Sequence, residues 1–128
     1  MNWYITIAGL FGVFTVIGHF TMGSKQFLKP MLEASFDPVA KKVMHCVFHY
    51  VSTFLILSTI MLLMIGLNVW PALNSMIAIK FIGANYLVFA VWQIILAAAS
   101  DIPNGVFKLF QWVFFGLIAL FSFLGAYM

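Results

Sequence analysis

Four long apolar stretches, separated by short polar segments, occupy most of the chain. They cover residues 5–22, 43–67, 77–99 and 106–127. Each stretch is close to the ~20 residues that an α-helix needs to cross the hydrocarbon core of a bilayer. Because helices joined by short loops run in opposite directions, the pattern predicts an all-α integral membrane protein built as an antiparallel four-helix transmembrane bundle.

Residues between the apolar stretches predict where the helices begin. Asp37 and Pro38 pair a capping side chain with a proline at the first helical position, which marks the start of the second helix. Asn74 and Ser75 offer caps for the third helix, and Asp101 or Asn104 offers one for the fourth. The sequence therefore predicts a single transmembrane domain over residues 1–128, with helices at about 3–22, 38–67, 75–99 and 103–127.

Composition excludes a soluble domain. Of the 128 residues, 65% are hydrophobic and only 7% are charged. A chain this short has too little interior to hide so much apolar surface from water, so the lipid bilayer is its expected partner. Besides lipid, the expected partners are further copies of the chain in a homo-oligomer or the other subunits of a larger membrane complex. The single cysteine, Cys46, excludes an intramolecular disulfide.

The positive charges predict an orientation. Four of the six lie in or beside the first loop: Lys25, Lys29, Lys41 and Lys42. Because lysines accumulate on the cytoplasmic side of membrane proteins, this loop is expected on the cytoplasmic side of the cell membrane, and both chain termini are expected on the outer side. The same loop contains residues 30–36, whose pattern predicts a short interfacial helix. The lysines thus indicate topology and not a surface for nucleic acid.

Small and polar residues recur at helical spacing on one face of each helix, which is the face that packs in a membrane. Gly12 and Ala90 are expected in helix–helix contacts, whereas Leu62 is expected to face lipid. The polar members gather in the cytoplasmic half and predict a ligand-binding site: His19, His49, Ser52, Gln93, Asp101, Asn104 and Gln111.

Three histidines form the strongest chemical cluster. His45 and His49 are one helical turn apart, and His19 lies on a neighbouring helix, so three imidazoles are candidates to ligate a divalent metal ion. A variant of this hypothesis has His19 and His49 holding haem b, although the second histidine pair and the arginines that would support haem are missing. The plainer interpretation is that the histidines form hydrogen bonds between helices.

No catalytic triad, phosphate-binding loop, dinucleotide fingerprint or Cys-x-x-Cys motif occurs in the sequence. The first functional hypothesis is therefore a membrane protein that binds a metal or a small polar ligand, or an accessory protein, rather than an enzyme. The alternatives are an oligomeric transporter or channel-like subunit and a haem-carrying component of a membrane oxidoreductase.

Overall fold

The computed structural model describes residues 1–71 and 75–128, and helices dominate both parts. The segments are α1 (Trp3–Gly18), a π-helical segment π1 (His19–Leu28), α2 (Lys29–Glu33), α3 (Pro38–Gly66), α4 (Met76–Ala99), α5 (Gly105–Lys108) and α6 (Gln111–Tyr127). No strand occurs in these two parts of the chain. Three helices are long and apolar enough to cross a membrane: Trp3–Glu33, Pro38–Gly66 and Met76–Ala99. The predicted all-helical fold is confirmed.

The second predicted helix has the expected ends. The Asp37 side chain accepts a hydrogen bond from the Ala40 N–H at 2.8 Å, and Pro38 opens α3. At the other end Asn68 adopts a left-handed conformation with φ 61°. Its N–H donates to Ile65 O, and the following N–H donates to Met64 O. This pair of bonds is a Schellman motif, which satisfies the last carbonyls of α3.

The first helix is longer than predicted. It continues without a loop through π1 and α2 to Glu33, beyond the predicted end at residue 22, and the short helix predicted at 30–36 corresponds to α2 at the end of this continuous helix. Proline at position 30 has no N–H to donate to the helix. The structure instead changes its hydrogen-bond register there: the Lys29 N–H donates to Ser24 O, five residues back, and the wider π turn accommodates the proline.

The fourth helix is broken where the sequence predicted one element over 103–127. Leu109, with ψ 67°, separates α5 from α6. The Trp112 indole N–H donates to the free carbonyl of Val106 at 2.9 Å, which compensates for the lost helical bond. Asn104 precedes α5 in a left-handed conformation and makes no capping bond. The predicted cap at Asn74 lies outside the described residues. Ser75 precedes α4 as predicted, but its hydroxyl donates to Pro71 O and makes no capping bond.

Helix α1 is central to the packing. It contacts α3 on one side and α6 on the other, and α6 also packs against α4. Gly12 and Ala90 are buried, as predicted. Leu62 is 0% exposed, so its predicted lipid-facing position is wrong. In a membrane, large apolar side chains suit both packed and lipid-facing surfaces, and residue size alone does not distinguish the two.

Both chain termini lie at the same end of the helices as the end of α3. The Asn2 N–H donates to Gly66 O at 2.8 Å, and the Asn2 side-chain amide donates to Gly125 O at 2.8 Å. We call this end, with the adjoining half of each helix, the terminal half. The opposite half contains π1, residues 34–37 and residues 100–110, and we call it the loop half.

Candidate functional site

The loop half encloses a cavity of about 510 Å³ between α1, π1, α3, α4 and α6. We call it the loop-half cavity. Five aromatic rings form much of its wall: Phe27, Phe48, Phe89, Trp92 and Phe115. Four polar side chains also line it: Thr15, His19, Gln93 and Gln111. Its lining includes no Lys, Arg, Asp or Glu among the described residues, so the cavity has no fixed charge to attract an ion.

His19 is held in a defined orientation at the wall of this cavity. It begins π1, and its ring stacks on Phe48 with centroids 4.1 Å apart. Its Nε2 lies 2.7 Å from the Ser52 Oγ, and that hydroxyl already donates its hydrogen to Phe48 O at 2.9 Å. The Ser52 hydroxyl has one hydrogen, so it either accepts from His19 Nε2–H or donates to an unprotonated Nε2, according to the tautomer of the imidazole.

A pair of glutamines lies across the cavity, on α4 and α6. The Gln93 Nε2 donates to the Gln111 Oε1 at 2.6 Å. The Oε1 of Gln93 is buried and has no hydrogen-bond partner among the described residues. Buried polar atoms are nearly always satisfied, so an unpaired amide oxygen in a cavity wall indicates a place where a donor from another molecule fits.

The wall of the cavity is partly exposed. Trp92 and Leu96 line it and are 58% and 61% exposed. Over the described residues, α3 and α4 do not pack closely against each other at the backbone level. The rings of Phe54, Tyr86 and Phe89 fill part of the space between these helices. The cavity is therefore open on the side of α4 that carries Trp92 and Leu96.

The His45–His49 pair is separate from the cavity. The Nε2 atoms of His45 and His49 lie 3.3 Å apart on the surface of α3, and neither residue lines a cavity. Residues 1–71 and 75–128 contain no group of three or more His, Cys, Asp or Glu side chains placed to hold a metal ion. The geometry thus does not support the three-histidine metal site, which stays a prediction. For haem, only His19 of the two predicted axial ligands faces the cavity.

The predicted site residues fall into two groups. His19, Gln93 and Gln111 line the cavity, and the buried Ser52 orients His19. Of the remaining predicted residues, His49, Asp101 and Asn104 are exposed and lie outside the lining.

Three residues of the aromatic wall, Phe27, Phe89 and Phe115, were missed in the sequence because their apolar side chains resemble lipid-facing ones. The glycines that make room, Gly18 and Gly23, carried no distinguishing signal either. An aromatic residue one helical turn from a polar residue, such as Phe89 before Gln93, is the one pattern that indicates this wall.

A second cavity of about 290 Å³ lies between α1, π1 and α6. We call it the side groove. Phe14, Ile17, Met22, Phe110 and Phe114 supply its apolar lining. It shares three residues with the loop-half cavity: Thr15, Gly18 and Gln111. The two spaces are therefore neighbours.

Comparisons with protein families, with curated proteins and with solved structures find no match for this chain. Function must therefore be argued from the residues and from the geometry of the cavity.

Proposed function

We propose that the chain is a multi-pass protein of the cell membrane, an antiparallel four-helix bundle whose loop-half cavity binds a small, neutral, mostly apolar ligand. The apolar exterior supports membrane insertion: Leu57, Ile77 and Phe81 are all more than 60% exposed, and water does not tolerate a large continuous surface of this kind. Helix α6 has 17 residues, about 25 Å, and would span a core of ~30 Å only with local thinning or with help from α5.

The proposed orientation keeps the loop half in the cytoplasmic leaflet. Four lysines lie in or beside residues 25–42, and positive charge resists translocation. Lys80 lies at the opposite end, where its ammonium is 4.2 Å from the centre of the Tyr127 ring, an arrangement suited to a membrane interface. A reporter fused after residue 128 should register outside the cell, and a cytoplasmic signal would reverse the orientation.

The observation that carries the ligand-binding function is the loop-half cavity itself. Its volume falls within the ~300–1,000 Å³ of small-molecule pockets, and its mostly apolar lining with a few converging polar groups is typical of such sites. The lack of charge in the lining favours a neutral ligand, because an ion would lose its hydration without gaining a partner. A ligand that enters from the bilayer would use the open side of the cavity at Trp92 and Leu96.

The test uses 1-aminoanthracene, a neutral fluorescent probe whose emission rises in apolar surroundings, and the protein in lipid nanodiscs. Val51 lines the cavity, so Val51→Trp should fill the space and weaken saturable binding of the probe at least tenfold. Ile60→Trp adds the same ring on an exposed part of the same helix and serves as the matched control. Equal binding to both variants, or no saturable binding by the wild type, would refute a ligand-binding cavity.

Metal binding and transport are the remaining alternatives from the sequence. For metal, the supporting observation is the His45–His49 pair, whose two Nε2 atoms are close enough to contact one ion, while the other ligands would have to come from water or a partner. A transporter would require several copies around a shared path. A saturable rise in unfolding temperature with zinc would favour metal, and flux through liposomes would favour transport.

A further inference from the structure

The side groove and the loop-half cavity meet at Gly18. Residue 18 lines both spaces. A Cβ atom built on Gly18 meets no other atom within 4 Å, so the point where the spaces adjoin is open. Glycine at this position keeps free the volume that any side chain would occupy. One ligand can therefore extend from the loop-half cavity past Gly18 into the side groove.

The side groove suits an aliphatic chain. Its hydroxyl groups are already used, because Thr15 donates to Phe11 O at 2.8 Å and Thr21 donates to Ile17 O at 2.7 Å. The remaining lining is almost entirely hydrocarbon. Phe14 and Ile17 are 60% and 53% exposed, so the groove lies at the lipid-facing surface of the helices. A hydrocarbon chain placed there would leave the groove directly into the bilayer.

The loop-half cavity suits a different part of the ligand. It presents an acceptor and a donor without partners among the described residues, the Oε1 of Gln93 and the Nε2 of Gln111, so a group that both donates and accepts hydrogen bonds, such as a hydroxyl, complements it best. Aromatic side chains dominate its wall, and they pack well against a flat ring. A carboxylate or phosphate is disfavoured because no cationic side chain lines the space.

We propose that the ligand is a lipid with a hydroxylated aromatic head, a phenolic or quinol lipid, whose head lies between His19 and Gln93 and whose chain runs past Gly18 along the side groove. This inference rests on the proposed ligand-binding function, and it adds the chemical class of the ligand and the direction of its chain.

The experiment measures displacement of 1-aminoanthracene from the protein in nanodiscs, corrected with protein-free nanodiscs. 5-Pentadecylresorcinol supplies a hydroxylated ring and a long chain, and it should displace the probe. Its dimethyl ether cannot donate hydrogen bonds and should compete at least tenfold more weakly. Monoolein, a diol with a chain but no ring, and palmitate, an anion with a chain, should also compete at least tenfold more weakly.

The path of the ligand's hydrocarbon chain is tested with Gly18→Leu. The new side chain would block the passage, so 5-pentadecylresorcinol should lose at least tenfold in apparent affinity, whereas 5-methylresorcinol, which has the head without the chain, should change by less than threefold. Gly116→Leu is the matched control, since a Cβ there also meets nothing within 4 Å and Gly116 lines neither space. It should leave both compounds unchanged.

The outcomes separate this inference from the proposed function. If the dimethyl ether, monoolein or palmitate competes as well as 5-pentadecylresorcinol, the hydroxylated aromatic head is wrong. If Gly18→Leu weakens both resorcinols equally or neither, the chain path is wrong. If the probe binds and Val51→Trp abolishes its binding but no resorcinol displaces it, the ligand class fails while the cavity keeps its function. If the wild type never binds the probe saturably, both fail.

Discussion

Glycines line the helix contacts in both halves of the molecule, but they serve opposite purposes. In the terminal half they let backbones approach: a Cβ on Gly12 would lie 2.5 Å from the Thr59 Oγ1, and a Cβ on Gly66 would lie 2.6 Å from the Thr6 backbone N. In the loop half the space around Gly18 is empty within 4 Å. Gly12 and Gly66 thus bring helices together in the terminal half, whereas Gly18 leaves open space in the loop half. The loop half also has one packed glycine, because a Cβ on Gly105 would lie 2.7 Å from Ala97 O.

The unpaired polar groups of the two halves differ in their surroundings. In the terminal half, the fully buried Tyr86 shares a hydrogen bond of 2.8 Å with Ser58. Thr59 Oγ1 and Ser122 Oγ are buried in this half without a partner among the described residues, but these residues line neither cavity. In the loop half, the unpaired Oε1 belongs to Gln93, which lines the loop-half cavity. The contrast between the halves is therefore one between packing and recognition.

The largest expected effect comes from enlarging a glycine in the terminal half. Gly12→Leu would force α1 away from α3 and should lower the free energy of unfolding by about 3 kcal/mol or prevent assembly. Gly18→Leu, two turns later in the same helix, should change it by less than about 1 kcal/mol, since its side chain enters open space and leucine favours helix more than glycine does. Thermal unfolding in detergent measures both. Equal destabilisation would remove the distinction between the halves.

A smaller effect on stability, but a clear one on binding, is expected at the glutamine pair. The double variant Gln93→Leu/Gln111→Leu removes both partners of one hydrogen bond together with the unpaired oxygen, so stability should change by no more than about 1 kcal/mol. Competition by 5-pentadecylresorcinol should weaken about tenfold, the equivalent of one lost hydrogen bond of ~1.4 kcal/mol. Tyr86→Phe serves as a comparison, because it removes a hydrogen bond in the terminal half and should leave competition unchanged. A large loss of stability in the glutamine variant with binding intact would make that pair a packing element.

The smallest effect is expected at the exposed histidine pair. His45→Ala should shift the free energy of unfolding by no more than about 0.5 kcal/mol and leave displacement of the probe unchanged, because His45 contacts neither cavity. Measuring the free energy of unfolding with and without zinc tests the metal hypothesis. A zinc-dependent stabilisation of the wild type that His45→Ala abolishes would show that this pair has a role of its own.

The sequence predicted those parts of the fold that depend on local chemistry. Asp37 and Pro38 determine where α3 begins through one capping bond and one fixed dihedral angle, and these can be read directly from residue identity. The continuation of α1 into π1 could not be read in this way. It depends on a change of hydrogen-bond register before Pro30, and no residue type signals such a change.

The candidate site was predictable in its polar part only. His19, Gln93 and Gln111 are conspicuous because polar side chains inside a membrane segment need a reason, whereas Phe27 and Phe115 are not distinguishable by residue type from lipid-facing residues. His49 lies outside the cavity lining for a geometric reason. It follows Phe48 directly, so it points about 100° further around α3, away from the cavity and towards His45.

The most direct test of the contrast between the halves locates a bound ligand within the protein. Crystals grown in a lipid phase with 9-bromoanthracene would reveal the bromine by its anomalous signal. We expect one strong peak in the loop-half cavity, within about 4 Å of Phe48 or Trp92, and no peak there in Val51→Trp crystals. Bromine found only on the lipid-facing surface, or between helices of the terminal half, would contradict a recognition site in the loop half.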